Sequence, residues 1–140
     1  MILGIGSDIA DIRRFEKALE TYGERFAKRI LTPAEIKQAE SKTAKRHSPM
    51  AARMAKYFAA KEAAMKAINA GKTAGISWQD MEISYDNKGK PQLTLKGRML
   101  ELMQSKMMKH QHAHIHVSLS DDYPSALAFV VIDLREGALH

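Results

Sequence analysis

The chain has 140 residues, of which 45% are hydrophobic and none is cysteine, and it carries a formal net charge of +6. That length is enough for one packed domain without disulfide or structural-metal staples, and the lack of cysteine excludes disulfide frameworks and thiol nucleophiles. Residues 1 to 72 hold 15 Lys/Arg against 8 Asp/Glu while the remainder hold 7 against 8, so the basic half suits an anionic partner: nucleic acid, an acidic protein or a phosphorylated cofactor.

Met1 to Gly6 is short, apolar and glycine-containing, which predicts a buried strand that delivers Asp8 just beyond its end. From Ile12, the apolar residues Phe15, Leu19 and Tyr22 recur at helical spacing, predicting a helix that stops at Gly23. Thr32-Pro33-Ala34-Glu35 has a capping threonine, a proline at the first helical position and a glutamate at the third, the start of a second, short helix. Lys42 to Ser48 reads as a basic loop, and Ser48-Pro49 opens a long helix that runs to about Asn69 and stops at Gly71.

Met81 to Tyr85 and Gln92 to Leu95 alternate around a polar loop, as in a hairpin. Arg98 to Lys109 returns to helical spacing through Met99, Leu102, Met103 and Met107. Ile115, Val117 and Leu119 then alternate with His116, Ser118 and Ser120, and Ala126 to Ile132 is nearly all apolar, so two strands close the chain. The interspersed order without a βαβ repeat predicts an α+β fold, with a small antiparallel sheet packed against helices and one domain over residues 1–140. No apolar run has membrane or signal-peptide length, which places the chain in the cytoplasm.

The stretch YFAAKEAAMKA, residues 57 to 67, carries the first chemical question. Met54, Phe58 and Met65 fall within about 40° of one another on a helical wheel and predict the buried stripe. Glu62 lies about 40° from Phe58, at the border of that stripe, with Lys66 one turn on. The bland reading is a surface Glu–Lys pair, worth a few tenths of a kcal/mol. The border position favours a half-buried carboxylate that needs a cation.

Asp8 has the same two readings, a helix cap or a cation ligand. Together with Glu62 it meets what Mg²⁺ asks of a protein when phosphate oxygens complete the shell, and Lys66 adds a point charge for those phosphates. His110, His112, His114 and His116 recur every second residue; with no cysteine or carboxylate completing a zinc set, they read as a solvated strand face, His110 still on the preceding helix. Ser118 and Ser120 lack the glycine elbow of a serine nucleophile.

Several segments in order resemble the holo-[acyl-carrier-protein] synthase family of 4′-phosphopantetheinyl transferases: GIGSDIADIRR, RFAKRILTPAE, FAAKEAAMKA, NKGKP and HVSLS. The resemblance spans nearly the whole chain. It implies Asp8 and Glu62 as Mg²⁺ ligands, Lys66 as a phosphate-facing lysine, Ser118 within a coenzyme A-binding segment, and Arg14, Arg25 and Arg29 as contacts to acyl carrier protein. It also implies transfer of the phosphopantetheine arm of coenzyme A to a carrier serine in fatty-acid synthesis, release of adenosine 3′,5′-bisphosphate, and a homotrimer with active sites shared between neighbours. Electrostatic stabilisation at the diphosphate by Mg²⁺ and Lys66 agrees with that chemistry.

Three departures stand against it: Tyr57 where relatives carry arginine, Ile68-Asn69-Ala70-Gly71 in place of a phenylalanine-glycine-threonine-glycine run, and Asp121 in place of a histidine. The first and third bear on the grip on coenzyme A. Two rivals remain: a transferase for polyketide or peptide-assembly carriers, and a small nucleic-acid-binding module. The second lacks an aromatic-basic strand, and Asp8 and Glu62 would be misplaced negative charge on a phosphate-binding surface.

Overall fold

The computed structural model describes residues 1–40, 50–71 and 75–137. Its elements are β1 (Ile2–Asp11), α1 (Ile12–Tyr22), α2 (Glu24–Ile30), α3 (Pro33–Ala39), α4 (Met50–Ala67), a 3₁₀ turn (Trp78–Asp80), β2 (Met81–Tyr85), β3 (Pro91–Leu95), α5 (Gly97–Gln104), β4 (Gln111–Asp122) and β5 (Ser125–Glu136). One antiparallel sheet has the order β1-β5-β4, and a hairpin of β2 and β3 forms a second. The fold is α+β, as the element order predicts.

In the larger sheet Gly6, Val130 and Val117 lie in one row and Asp8, Ala128 and Leu119 in the next. These share the inner face, which α4 covers. Because side chains alternate, Ile5, Ile9, Phe129 and Ser118 point to the other face. Ile5, Ile9 and Phe129 are exposed there.

The centre of the molecule is α4, and alanine explains how so many elements reach it. Ala51, Ala52, Ala55, Ala59, Ala60, Ala63, Ala64 and Ala67 are all buried, so neighbours approach on several sides. Met54 is fully buried, but Phe58 and Met65 are only partly so. The stripe predicted from those three residues is therefore too narrow, because a wheel of large apolar residues overlooks faces closed by methyl groups.

Against this helix β1 packs through glycine. A Cβ at Gly4 would lie 1.8 Å from the Ala67 carbonyl oxygen, and one at Gly6 would lie 1.9 Å from that of Ala63. Only the absence of a side chain permits this backbone contact.

Several boundaries differ from expectation. β1 continues to Asp11 because Asp8 to Asp11 pair with Ala128 to Ser125, so Asp8 is inside the strand. The cap of α1 is Asp11, which accepts from the Arg13 N–H at 3.0 Å; Asp8 caps nothing. α1 otherwise ends at Gly23 as predicted, and burial of its Ile12 and Phe15 contributes about 2–3 kcal/mol each.

α2 was not foreseen, since its seven residues hold only one turn's worth of apolar spacing, Ala27 and Ile30. The capping box of Thr32 and Glu35 is present. The predicted loop at Lys42 to Ser48 and the Ser48-Pro49 start lie outside the described residues. α4 ends at Ala67, and Asn69 and Gly71 take φ of 53° and 62° in the turn that follows.

α5 stops at Gln104 instead of continuing to Lys109; the Ser105 hydroxyl donates to the Leu102 carbonyl at 2.6 Å and competes with the helical ladder. His110 consequently sits in the turn before β4 rather than on the helix. The β2–β3 hairpin is as predicted, its loop held by Asp86, which accepts from the Lys88 and Lys90 N–H groups at 2.8 and 2.9 Å. Among the described residues no helix is long and apolar enough to cross a membrane.

Candidate active site

The glycine contact places two carboxylates and a lysine together. Asp8 is on the same face of β1 as Gly4 and Gly6, two residues beyond the point where strand and helix backbones touch, and so faces the last turns of α4. The Lys66 ammonium donates to the Asp8 carboxylate at 3.1 Å and to the Ser7 carbonyl at 2.9 Å. No Glu62–Lys66 ion pair is present among the described residues. The helix-surface pair that i, i+4 spacing suggests is replaced by a bond from helix to strand.

Glu62 is half-buried, near enough to feel the charge of both Asp8 and Lys66. Burial, and then the negative charge of Asp8, hold its carboxyl above the usual glutamate range, with Lys66 acting the other way. Two carboxylates face one ammonium here, which leaves an excess of negative charge beside a solvent-exposed lysine. The available donors are carboxylate oxygens and a main-chain carbonyl, all hard, and come from two different elements. Such a set fits Mg²⁺ binding that leaves room for water and phosphate oxygens, and lacks the sulfur or imidazole of a closed zinc site.

Of the other predicted residues, Arg14 is exposed on α1 and Arg25 and Arg29 on α2, none of them in a salt bridge among the described residues. Arg14 borders a groove of about 510 Å³ whose floor includes Phe15, Phe26, Ile30 and Phe58. Ser118 is not brought to the carboxylates. It pairs with Phe129 on the outer face of the sheet, across the sheet from Asp8.

Beside Ser118 a second groove, of about 420 Å³, is lined by Lys90, Pro91, His116 and Phe129, so the NKGKP and HVSLS segments do meet each other. The histidines collect no metal set: no group of three His, Cys, Asp or Glu gathers among the described residues. His110 contacts Glu136 at 3.0 Å, and the His112 ring contacts the Gly137 carbonyl.

The departures have local explanations. Tyr57 is buried, and its hydroxyl lies 3.4 Å from the Gln38 side chain and 3.3 Å from the Tyr85 hydroxyl, so it is a packing residue between α3, α4 and β2. Burial, with the Tyr85 hydrogen bond, pushes its phenol well above the ordinary value. Asp121 is held by Lys56 at 3.0 Å.

Sequence reasoning missed the pair Lys61–Glu35. Both side chains are fully buried and bonded at 2.6 Å. The available signal was Lys61 itself, about 60° from Phe58 on the helical wheel and hence inside the apolar face.

Residues 4–128 match the family model described as the 4′-phosphopantetheinyl transferase superfamily. A holo-[acyl-carrier-protein] synthase of Cereibacter sphaeroides is 46% identical over 138 residues, 99% of this chain and 97% of that protein. Among solved structures, the Neisseria meningitidis holo-[acyl-carrier-protein] synthase superimposes with a TM-score of 0.76 at 34% identity, over 95% of this chain and 99% of that one. The Helicobacter pylori holo-[acyl-carrier-protein] synthase in complex with coenzyme A does so with a TM-score of 0.73 at 30% identity, over 92% and 99%.

Proposed function

Because the chain belongs to the 4′-phosphopantetheinyl transferase superfamily, and resembles its holo-[acyl-carrier-protein] synthases over nearly the whole length, we propose that it transfers the phosphopantetheine arm of coenzyme A to a serine of apo acyl carrier protein. The observation that carries this reading is the convergence of Asp8, Glu62 and Lys66 where β1 presses on α4. The carrier serine oxygen bonds to the phosphorus bearing the pantetheine, and the bond from that phosphorus to the bridging oxygen breaks, releasing adenosine 3′,5′-bisphosphate. Asp8 and Glu62 hold Mg²⁺, which when bound neutralises charge on the diphosphate.

Lys66 stands beside Asp8 with an exposed ammonium that can turn to a phosphate oxygen. The proton leaving the serine passes to a carboxylate of this site through water.

The acceptor docks on α1 and α2. A groove with an aromatic floor and Arg14 on its rim, flanked by exposed Arg25 and Arg29, suits an amphipathic helix carrying acidic residues. We assign the coenzyme A contact of Ser118 to a neighbouring subunit. Ser118 and Lys90 lie on the groove beside the outer face, and the exposed Ile5, Ile9 and Phe129 of that face support a homotrimer with shared sites. The setting is fatty-acid synthesis in the cytoplasm.

The test is intact-mass spectrometry of apo acyl carrier protein incubated with the chain, coenzyme A and Mg²⁺. A phosphopantetheine mass increment that disappears with EDTA and with Asp8→Ala supports the reading. No increment, or one indifferent to both controls, overturns it. Competition between carriers of fatty-acid and polyketide assembly then reads acceptor preference.

A further inference from the structure

The buried pair Lys61–Glu35 takes no part in the chemistry above, yet its bonds join four places in the fold. The Lys61 ammonium donates to Glu35 at 2.6 Å and to the Ile30 carbonyl, at the end of α2, at 2.7 Å. Glu35 also accepts from the Thr32 N–H at 2.9 Å and from the Ile83 N–H of β2 at 2.7 Å. Burial pulls the Lys61 ammonium below its ordinary value and Glu35 opposes that pull. A buried ion pair is a weak source of stability compared with apolar side chains of the same size, so stability alone does not account for charge here. What it supplies is direction: four short bonds hold a relative position that a hydrophobic contact would let slide.

The parts so held are informative. Lys61 immediately precedes Glu62, so any rotation or sliding of α4 that displaces one displaces the other. Ile30 is the last residue of α2, which carries Arg25 and Arg29 and lines the docking groove through Phe26 and Ile30.

We propose that Lys61 and Glu35 are positioning residues for transfer, fixing the acceptor-docking helix α2 relative to Glu62. This rests on the transferase reading above. In that reading, α2 carries docking residues for the carrier and Glu62 belongs to the site of the reacting diphosphate, and the Lys61 bonds connect the two. A shift of about 1 Å between them lowers the rate about 100-fold.

The experiment uses the full chain with Lys61→Met and Glu35→Gln combined, which removes both charges while the amide oxygen introduced at position 35 can still accept from the Ile83 or the Thr32 N–H. Circular dichroism gives the folded fraction, and carrier modification under initial-rate conditions, normalised to that fraction, gives kcat and the acceptor KM. Wild-type chain in the same assay separates failure of this inference from failure of the transferase reading. The expected result is a folded protein with kcat lowered roughly 10- to 100-fold and acceptor KM changed less than about threefold. A normalised kcat equal to wild type overturns the proposal and leaves the pair a purely structural bond. Should the double variant not fold, Glu35→Gln alone is read by the same criterion.

Discussion

Replacing Gly6 by alanine tests whether contact between the β1 and α4 backbones sets the active-site geometry. The new methyl carbon would lie 1.9 Å from the Ala63 carbonyl oxygen and 2.9 Å from the Ala67 nitrogen. An ordinary carbon–oxygen approach is about 3.3 Å, so strand and helix must separate by roughly 1.4 Å. Neither obstacle is a side chain that can change rotamer.

Asp8, two residues along the same face, moves with the strand, and the Lys66 bonds of 3.1 and 2.9 Å to Asp8 and Ser7 stretch beyond hydrogen-bonding range. Overpacking of this kind costs about 1–3 kcal/mol, which for this length lowers Tm by roughly 3–12 °C. A displacement of that size at the reacting groups lowers kcat about 100-fold. Thermal melts followed by circular dichroism, and transfer rates measured well below the lowered Tm, read the two effects separately. Wild-type kcat in a folded Gly6→Ala chain would refute the argument that this contact sets the position of Asp8.

Glu62→Gln should stabilise the metal-free protein at pH 7. The folded-state pKa of Glu62 lies above its ordinary 4.5, so its ionisation opposes folding, a penalty that grows as pH rises past 4.5 and is complete above the folded-state value. The gain should vanish below pH 4.5, where folded and unfolded chains are both protonated; a lower Tm than wild type at pH 7 in calorimetry would contradict this. The same substitution should abolish any rise in Tm on adding Mg²⁺. Arg14→Ala should raise the acceptor KM about 3- to 10-fold with kcat little changed, and an unchanged KM would remove Arg14 from the docking surface. Phe129→Asp places a charge on the exposed apolar face and should convert the proposed homotrimer to single chains in sedimentation equilibrium, with loss of transfer; a wild-type chain that is already single, or a variant of unaltered mass, would refute a trimer packed through this face.

How far the sequence could be read depended on whether a signal was local. Gly23, the Thr32–Glu35 box and the Asp86–Gly89 loop act on their immediate neighbours, and each marks an element boundary where the structure has one. The α+β order followed from these. The full extent of β1 depends on pairing with a strand more than a hundred residues away, which no local pattern contains. α2 is too short for a period to declare itself.

At the site, the border position of Glu62 was informative because it made a carboxylate unusual. The partner of Lys66 could not be read from spacing, since Asp8 lies 58 residues earlier in the chain. Glu35 was recognised as a cap and thereby hidden as the partner of Lys61. A side chain with one adequate local explanation gives no hint of a second, distant one.

The passage from β1 into α1 has no connecting residue: the strand ends at Asp11 and the helix begins at Ile12. Its start is pinned to the β4–β5 turn, where the Ile12 N–H donates to the Pro124 carbonyl at 2.7 Å and the Tyr123 hydroxyl bonds Glu16 at 2.5 Å. Asp8 and Arg14 are thus the two marks of a six-residue ruler with no slack in it. One residue added at the junction would turn every following side chain of α1 by about 100° about the helix axis. Relatives that lengthen other connections freely should therefore keep this interval unchanged, because nothing between the two marks can absorb an insertion.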